Sequence, residues 1–393
     1  MKLSFVGRGP SSKSLLNRAY IIQSYDPDFK IIGSSACDDI RIIQKALDDF
    51  KSGSPIFCGQ SATAFRFIAL RVSRRPGKYV LSGERRLFER PHQTLIKILN
   101  QLGVSAHIQS DNQLVITSEG WNPQGDALTF SSDVSSQFAS SVLLNSFNLE
   151  RDLFFSLEGP ILSFSYLKMT LLFLKQLGFT VKGELPELCI SARQKISEKS
   201  YEIEPDMSCL FALACFSALS GQAVFTPWVK ESVQPDAVFP SILSKMGVSV
   251  IENKGTLKVT STQYRNGLVR NVENNPDMFP LLAVLCALSE GESFLYGAPH
   301  LQFKESDRLS LTASLIQQTG REVVQTQDGL RIKGSLETGE GKTIVFDPQG
   351  DHRMAMAGAL LLYAGFDVKI KNPECVNKSF PEFWKIIGVP FNL

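Results

Sequence analysis

The sequence has few histidines and no closely paired cysteines. There are four histidines and seven cysteines in 393 residues, and no two cysteines have the C-x-x-C spacing. The histidines also lack the spacing of a zinc-binding helix motif. An odd number of scattered cysteines is typical of reduced, buried thiols in a cytoplasmic protein. We therefore expect no metal site, no disulfide and a cytoplasmic location.

Long apolar runs and a strong net charge are also missing. The most apolar stretches, around 209–219 and 278–288, are too short to span a bilayer and are predicted to be buried helices. The first residues lack the apolar region of a signal peptide. Lysine and arginine number 41 against 39 acidic residues, a net charge of +2. Because nucleic-acid-binding domains are usually strongly basic, we expect neither nucleic acid nor a membrane as a partner.

The common nucleotide-binding motifs are absent as well. Gly7-Arg8-Gly9 lacks the third glycine of a dinucleotide fingerprint, and no glycine directly precedes Lys13, as a P-loop requires. There is no Gly-x-Ser-x-Gly elbow of a serine hydrolase. We therefore predict no nucleotide cofactor, although a local anion site remains open, because a net charge conceals its distribution.

An internal repeat of about seventy residues is the most informative feature that is present. Four helical patterns end in glycine and are followed by a strand pattern. The glycines are Gly103, Gly178, Gly247 and Gly320, spaced by 75, 69 and 73 residues, and a weaker copy ends at Gly388. Ten or eleven residues after each of the first four glycines a second strand begins, which predicts a hairpin.

A helix that is apolar on almost every side precedes each of the later amphipathic helices. Such helices are predicted from Asp206, Asp277 and Asp351 onward, and they should be buried on all sides. One repeat then consists of strand, buried helix, strand, amphipathic helix and hairpin, with turn residues such as Asp111 and Asn112. The length accommodates five to six such units in an α/β fold. A chance recurrence of helix, glycine and strand is the alternative.

Cations accompany the serine, threonine and aspartate residues at the predicted helix starts. The dipole and the free N–H groups of a helix start attract anions, although Ser, Thr and Asp there are also ordinary N-caps. Lys13, Arg18 and Arg353 are disfavoured near such starts unless they serve a ligand. The combination predicts several helix starts that converge on small polyanions.

Five motifs occur in order along nearly the whole chain. They are GPSSKS-x-x-NR from Gly9, GE-x-R-x-x-ERP from Gly83, SSQF from Ser135, KESDR from Lys304 and DHRMAM from Asp351. Together they resemble the motifs of the 3-phosphoshikimate 1-carboxyvinyltransferase family, the EPSP synthases, although each alone is weakly specific.

The resemblance implies a two-domain, inside-out α/β barrel built of about six βαβαββ repeats. The N-terminal domain would span 12–203 and contribute mainly to the shikimate 3-phosphate side. The C-terminal domain would comprise 1–11 and 204–393 and contribute mainly to the phosphoenolpyruvate side. The active site is expected in the interdomain cleft, and the family's members are usually monomers.

The resemblance also implies a reaction without a cofactor or metal. The enolpyruvyl group of phosphoenolpyruvate is transferred to the 5-hydroxyl of shikimate 3-phosphate by addition and elimination, in the pathway to chorismate and the aromatic amino acids. Asp277 matches the carboxylate that takes the hydroxyl proton. Glu305 and Lys13 match groups that transfer protons at the phosphoenolpyruvate carbons, and their division of labour stays open.

The binding residues implied by the resemblance form one set for each substrate. Arginine suits such sites because its planar guanidinium binds carboxylate and phosphate bidentately. The shikimate 3-phosphate set is Lys13, Ser14, Arg18, Ser135, Ser136, Gln137, Ser163, Tyr166, Asp277, His300 and Lys304. The phosphoenolpyruvate set is Lys13, Ala62, Thr63, Arg90, Gln137, Arg308, Arg353 and Lys378.

Structural interpretations remain open for some of these positions. Tyr166 is also compatible with half-buried packing, and the charged run 304–308 with a solvated surface. Asp206 matches a family position, but capping is as good an interpretation as ligand contact. Arg66 is interpreted as a structural partner.

Several residues depart from the family pattern. Gln60 replaces Asn, Ala62 replaces Gly, Phe67 stands where Pro is usual, and His300 stands where Asn is frequent. We hypothesise that the extra methyl of Ala62 makes the enzyme poorly sensitive to glyphosate, because that inhibitor is longer than phosphoenolpyruvate.

Three other functions fit the sequence less well. The sister enzyme that acts on UDP-N-acetylglucosamine carries a Cys in the loop before its Arg-Pro, and none lies between Gly83 and Arg90. A non-catalytic relative that binds phosphometabolites would be expected to lack Asp277 or Glu305. A relative that processes RNA ends is disfavoured by the lack of a basic, aromatic-rich signal.

Overall fold

The computed structural model describes residues 1–109 and 112–390, so the predicted turn residue Asp111 lies outside the described residues. The chain divides into two compact units. We call Ser12–Ile203 the continuous unit and Met1–Ser11 with Glu204–Leu393 the discontinuous unit. No helix of the described ranges has both the length and the apolar character needed to cross a membrane.

The strands are β1 (Leu3–Gly7), β2 (Lys30–Ile32), β3 (Ile56–Phe57), β4 (Gly77–Ser82), β5 (Ser105–Gln109), β6 (Gln113–Ser118), β7 (Ala127–Ser131), β8 (Leu153–Glu158), β9 (Val181–Glu184), β10 (Glu187–Ile190), β11 (Ser200–Glu202), β12 (Gly221–Phe225), β13 (Ser249–Asn253), β14 (Thr256–Thr260), β15 (Val269–Asn271), β16 (Gly291–Tyr296), β17 (Glu322–Gln325), β18 (Leu330–Gly334), β19 (Thr343–Phe346) and β20 (Asp367–Ile370). The helices are α1 (Lys13–Gln23), α2 (Asp38–Ser52), α3 (Ala62–Ser73), α4 (Arg85–Phe88), α5 (Gln93–Gln101), α6 (Gln137–Asn145), α7 (Phe164–Gln176), α8 (Met207–Leu219), α9 (Phe239–Lys245), α10 (Phe279–Ala287), α11 (Arg308–Gln318), α12 (His352–Tyr363) and α13 (Phe383–Ile386). Short 3-10 helices occur at Pro235–Val238, Pro299–Phe303 and Pro373–Lys378.

The same sheet is built twice in each unit. In the continuous unit the orders are β3-β4-β6-β5 and β7-β8-β10-β9, and in the discontinuous unit they are β1-β12-β14-β13 and β15-β16-β18-β17. The first pair of each sheet is parallel and the last two pairs are antiparallel. The third repeat of each unit keeps only a parallel pair, β11-β2 or β19-β20. The predicted α/β fold of repeated β–α units is confirmed.

The predicted hairpins follow the glycines that end the amphipathic helices. Gly103 has φ +76° and Gly178 has φ +85°, a left-handed conformation that a Cβ atom disfavours. A Cβ at Gly103 would also lie 2.6 Å from the carbonyl oxygen of Asn122. The chain therefore turns sharply there, which sets the register of the strand that follows.

Apolar helices fill the interior of each unit, as predicted. Every residue of α10 is buried, and α8 is buried along almost its whole length. In the continuous unit α1, α3 and α6 contact one another, and in the discontinuous unit α8, α10 and α12 do so. A helix that is apolar on every side is stable only when no side faces water. The sheets and the amphipathic helices therefore enclose these helices.

Most starts of these helices are capped by side chains. Ser12, Ser61, Asp206 and Asp351 each accept a hydrogen bond from a backbone N–H group in the first turn of α1, α3, α8 and α12. The prediction that Asp277 begins a helix is wrong in detail. Asp277 lies in a turn, and α10 starts at Phe279 with Met278 in the N-cap position.

Candidate functional site

Arg308, the first residue of α11, is surrounded by carboxylates. Its side chain is 1% exposed. Nε donates to Asp351 Oδ2 at 2.7 Å, Nη1 to Asp277 Oδ1 at 2.8 Å and Nη2 to Glu305 Oε2 at 3.0 Å. These bonds fix the plane of the guanidinium, because its N–H groups point in set directions. We call Asp277, Glu305, Arg308, Asp351 and Arg353 the Arg308 cluster.

Asp351 joins the starts of α11 and α12. It is fully buried, and its Oδ1 accepts from the backbone N–H of Arg353 at 2.8 Å. Its Oδ2 also accepts from the hydroxyl of Ser306 at 3.1 Å. Because a buried charge is tolerated only with a partner, Asp351 and Arg308 depend on each other. The alternative of a solvated charge run is wrong for Arg308 and Glu305, whose side chains are largely buried.

Asp277 is the most exposed carboxylate of the cluster, with 25% of its side chain accessible. Burial alone would raise the pKa of Asp277. The charges of Arg308, then of Arg353 and Lys304, outweigh that effect and hold the pKa well below its usual range. The carboxylate is therefore ionised at neutral pH and reachable from solvent.

Arg353, in the first turn of α12, is a buried cation with unused donors. It is 2% exposed, and Nη2 lies 3.7 Å from Asp277 Oδ2. Within the described ranges no atom accepts a hydrogen bond from Nε or Nη1 of Arg353. Buried N–H groups without acceptors are unfavourable unless a ligand supplies them. Arg353 therefore indicates an anion site beside Asp277.

Three further predicted residues belong to the discontinuous unit. His300 is buried in the 3-10 helix Pro299–Phe303. Burial, and then the charge of Lys304, lowers the pKa of His300 to about 3, so its ring is neutral at pH 7. Lys304 follows the same 3-10 helix and is half-buried. Lys378, 8% exposed, ends the 3-10 helix Pro373–Lys378.

Arg18 is a buried cation of the continuous unit that is held by neutral oxygens. Nε donates to Thr170 Oγ1 at 2.8 Å, Nη1 to the carbonyl of Ser14 at 2.8 Å and Nη2 to the carbonyl of Tyr166 at 3.2 Å. Burial lowers the pKa of Arg18 to about 9, which still leaves it charged at neutral pH. A buried charge balanced only by neutral groups favours an anionic ligand nearby.

Arg66 connects the starts of α3 and α6. Nη1 donates to Ser135 Oγ at 3.0 Å and Gln137 Oε1 at 2.9 Å, and Nη2 donates to the carbonyl of Pro91 at 3.1 Å. Gln137 Nε2 in turn donates to Thr63 Oγ1 at 2.9 Å. These contacts support the structural interpretation of Arg66. They bring three predicted site residues, Thr63, Ser135 and Gln137, into one network.

Lys13 is the first residue of α1 and forms an ion pair at that helix start. Its Nζ donates to Asp39 Oδ2 at 2.9 Å, and both side chains are largely buried. Asp39 lies in the first turn of α2. The pair offsets the unfavourable position of a cation near a helix N-terminus.

The other predicted residues of the continuous unit lie at helix starts or in the loop before α5. The side-chain amide of Gln60, the residue that departs from the family's Asn, donates to Glu84. Ala62 is buried at the start of α3, Ser136 precedes α6, Ser163 precedes α7 with φ +54°, and Arg90 lies between α4 and α5.

Sequence reasoning placed neither Asp39 nor Asp351 among the catalytic or binding residues. Asp351 was detectable as the first residue of a motif and of a predicted buried helix, but nothing in the sequence showed that it pairs with Arg308, 43 positions away. Asp39 gave no signal, since an acidic residue in the first turn of an amphipathic helix is ordinary.

The chain is similar to EPSP synthases by family model, by sequence and by fold. The family model for EPSP synthase (3-phosphoshikimate 1-carboxyvinyltransferase) matches residues 30–387. The enzyme of that name from Clostridium acetobutylicum is 30% identical over 402 residues, covering 95% of this chain and 92% of the relative. The one from Methanoculleus marisnigri is 31% identical over 338 residues, covering 84% and 78%.

Solved structures show the same fold at lower identity. EPSP synthase from Acinetobacter baumannii superimposes with a TM-score of 0.75 at 20% identity, covering 99% of this chain and 96% of that one. The enolpyruvyl transferase NikO from Streptomyces tendae gives 0.71 at 15% identity, covering 98% and 94%. The predicted EPSP synthase-like fold is thus confirmed, and from the family-model match the chain belongs to the EPSP synthase family.

Proposed function

We propose that this transferase moves the enolpyruvyl group of phosphoenolpyruvate to the 5-hydroxyl of shikimate 3-phosphate and releases phosphate. Family membership supports the reaction. The observation that carries it is the pairing of an ionised, accessible Asp277 with Arg353, a buried cation with unused donors. A general base beside an anion site is what an attack on a phosphorylated enol requires.

The residues assigned to phosphoenolpyruvate are Arg90, Arg308, Arg353 and Lys378, together with Lys13, Ala62, Thr63 and Gln137. Arg353 offers Nε and Nη1 to the carboxylate or phosphate of the substrate. Arg308 is already oriented by Asp351 and Glu305 before any ligand arrives. Such preorganised donors cost little reorganisation when charge develops in the transition state.

Phosphoenolpyruvate also changes the basicity of Asp277. In the free protein Arg308 and Arg353 keep the pKa of Asp277 low, so it is a weak base. A bound substrate anion faces the same two guanidinium groups and offsets part of their positive field. The pKa of Asp277 then rises, and the carboxylate accepts the proton of the 5-hydroxyl more readily.

Proton transfer at the phosphoenolpyruvate carbons is assigned to Glu305 and Lys13 together. Addition places a proton on the methylene carbon, and elimination removes one from the resulting methyl group. Both side chains are held in place by a partner, Glu305 by Arg308 at 3.0 Å and Lys13 by Asp39 at 2.9 Å. A fixed position for each group is the main requirement of general acid–base catalysis.

Shikimate 3-phosphate is assigned to charged side chains and to neutral hydroxyl and amide side chains. Arg18 supplies a buried positive charge for the phosphate, since it has no ion pair with a carboxylate in the described part of the chain. Hydroxyl and amide groups contribute the remaining donors. These are Ser14, Ser135, Ser136, Gln137, Ser163 and Tyr166, while Lys13, Asp277, His300 and Lys304 are assigned to the sugar acid.

Ala62 is proposed to weaken glyphosate binding. Its side chain is buried, with 4% exposed, at the first position of α3. It is followed by Thr63, whose hydroxyl accepts a hydrogen bond from Gln137, a partner of Arg66. A methyl group that is closely packed cannot easily move aside. We therefore expect it to clash with a ligand that is longer than phosphoenolpyruvate.

One assay tests the proposed function. Phosphate release from phosphoenolpyruvate is measured with shikimate 3-phosphate and, separately, with UDP-N-acetylglucosamine as acceptor. Turnover with shikimate 3-phosphate alone is expected, and Asp277→Ala should lower it by about 100-fold or more while the protein stays folded. Turnover only with the nucleotide sugar, or with neither, rejects the proposal. A site in an interdomain cleft, a monomeric state and a cytoplasmic location stay predictions.

A further inference from the structure

We propose that Asn275, anchored on Pro235 and Asp236, is a positioning residue for the Asp277 carboxylate. The inference rests on the proposed function and deepens it. Asn275 does not belong to any of the motifs that carry the family resemblance, and its side chain bonds to Pro235, Asp236 and Arg270. It acts by fixing the turn that carries Asp277, the proposed general base.

The turn before α10 needs such an anchor. Asp277 is outside the helix, and Pro276 has no N–H group to donate to a backbone acceptor. The backbone bonds of this turn are local, with the N–H of Asn275 donating to Val272 at 2.9 Å and that of Met278 to Asn275 at 3.1 Å. Side chains that bond to other elements, such as Asp277 to Arg308, add to these backbone bonds in fixing the position of the turn.

The side chain of Asn275 ties this turn to another element. It is 5% exposed, and Nδ2 donates to the carbonyl of Pro235 at 2.9 Å and faces Asp236 Oδ1 at 3.5 Å. Oδ1 accepts from Arg270 Nη2 at 3.4 Å. A buried amide with both ends bonded has one favourable orientation, since rotating it leaves polar atoms unsatisfied.

Asp236, one of the two hydrogen-bond partners of the Asn275 amide nitrogen, also carries an ionisable carboxyl group. It is 1% exposed and accepts a hydrogen bond from the hydroxyl of Ser208 in α8. Burial, and then the negative charge of Asp277, raises the pKa of Asp236 to about 6. Asn275 lies on the hydrogen-bonded path between the two segments that carry these carboxylates. The charged groups around the pair are Asp206 and Arg353 next to Asp236, and Arg308, Arg353, Lys304 and Glu305 next to Asp277.

The test compares two variants of Asn275 with a stability control in the full-length protein. Asn275→Ala removes the anchor, and Asn275→Asp keeps the shape but replaces the donor by a third carboxylate. Val259→Ala, a fully buried core position of β14, weakens the same unit without touching the turn. Each protein is assayed for kcat, for KM of both substrates, and for the pH dependence of kcat.

Both Asn275 variants should lower kcat by about tenfold to a hundredfold and leave the KM values near those of the wild type. In Asn275→Asp the added negative charge raises the pKa of the neighbouring carboxylates, so the acidic limb of the kcat profile should move to higher pH. Val259→Ala should change neither kcat nor the pH dependence of kcat. Wild-type kcat and an unmoved pH profile in both Asn275 variants overturn the inference, as does an effect on KM alone.

A second readout does not need turnover. The carboxyl ¹³C resonance of Asp277, assigned with Asp277→Asn, is compared at pH 7 among the wild type and the same variants. The resonance should shift in Asn275→Ala or Asn275→Asp and not in Val259→Ala. If the wild type fails to turn over, the proposed function falls while this spectrum still decides the role of Asn275. An unshifted resonance in both Asn275 variants overturns the inference.

Discussion

Arg308 and Asp351 form a fully buried ion pair that spans two helix starts, with Nε and Oδ2 2.7 Å apart. The same carboxylate caps α12 through the N–H of Arg353 at 2.8 Å. One side chain thus orients Arg308 directly and fixes the first turn that carries Arg353. The geometry of the proposed phosphoenolpyruvate site therefore depends on a residue that sequence analysis recognised only as a motif position and a helix start.

Removing that carboxylate should cost more than removing an ordinary cap. Asp351→Ala leaves Arg308 buried without its main partner, so the free energy of unfolding should fall by about 3–5 kcal/mol. Asp307→Ala is the control, because Asp307 caps α11 through the N–H of Ser310 at 3.1 Å. It should lose only about 1 kcal/mol. Urea unfolding followed by circular dichroism measures both, and equal losses would contradict a special role for Asp351.

The unused donors of Arg353 predict a selective loss of phosphoenolpyruvate binding. Arg353→Gln should raise KM for phosphoenolpyruvate by about 10- to 100-fold, the equivalent of about 1.5–3 kcal/mol for a charged hydrogen bond. KM for shikimate 3-phosphate should change much less. Arg265→Gln is the matched control, since Arg265 is buried in the same unit but both of its Nη groups donate, to the carbonyls of Thr262 and Leu288. Equal changes in both KM values would refute the assignment of Arg353.

We expect Ala62→Gly to make the enzyme more sensitive to glyphosate. Ala62→Gly removes the buried methyl, so the inhibitor concentration that halves activity should fall in this variant. Ala64→Gly, two positions along the same helix and fully buried, carries the same helix penalty of about 1 kcal/mol and should leave inhibition unchanged. The hypothesis fails if Ala62→Gly gains no sensitivity, or if the wild type is already inhibited as strongly as enzymes with glycine at this position.

His92 predicts how stability depends on pH. Its Nε2 lies 2.8 Å from the carbonyl of Leu87, and burial, followed by the charge of Arg66, lowers the pKa of His92 to about 3. Between pH 6.5 and 3 the unfolded chain binds a proton that the folded chain does not, so stability falls as the pH falls. The loss should be about 2 kcal/mol between pH 6.5 and 5.

The matched variants for this effect are His92→Gln and His107→Gln, the second at an exposed position of β5. Chemical unfolding at pH 6.5 and pH 5 should show a smaller loss in His92→Gln than in the wild type, and an unchanged loss in His107→Gln. The same loss in all three proteins would show that the buried ring does not control this step.

Local patterns revealed most of the architecture. The glycines after the amphipathic helices, such as Gly103 and Gly178, predicted the hairpins because a left-handed turn is a property of one residue and its neighbours. The apolar helices α8 and α10 were recognisable because a helix without a polar side has to be enclosed. The incomplete third sheet of each unit was not foreseen, since strand pairing depends on partners that lie far away in the chain.

The roles of the acidic residues at the helix starts could not be predicted from the sequence. Asp206, Asp277 and Asp351 look alike in sequence, each before an apolar helix. In the structure Asp206 and Asp351 are caps, whereas Asp277 lies in a turn and binds Arg308. Capping is decided by the backbone conformation at one position, and here that conformation depends on contacts with distant residues.

The repeat, the buried helices and the family could all be predicted from the amino-acid sequence, because they follow from local periodicity and from motifs that stand in order along the chain. The pairing of the buried charges became visible only in the folded protein. Arg308 meets Asp351 across 43 positions and Arg66 meets Ser135 across 69. Such pairs depend on which side chains share a buried space, and the energy of a buried charge is set by its partner and not by its neighbours in sequence.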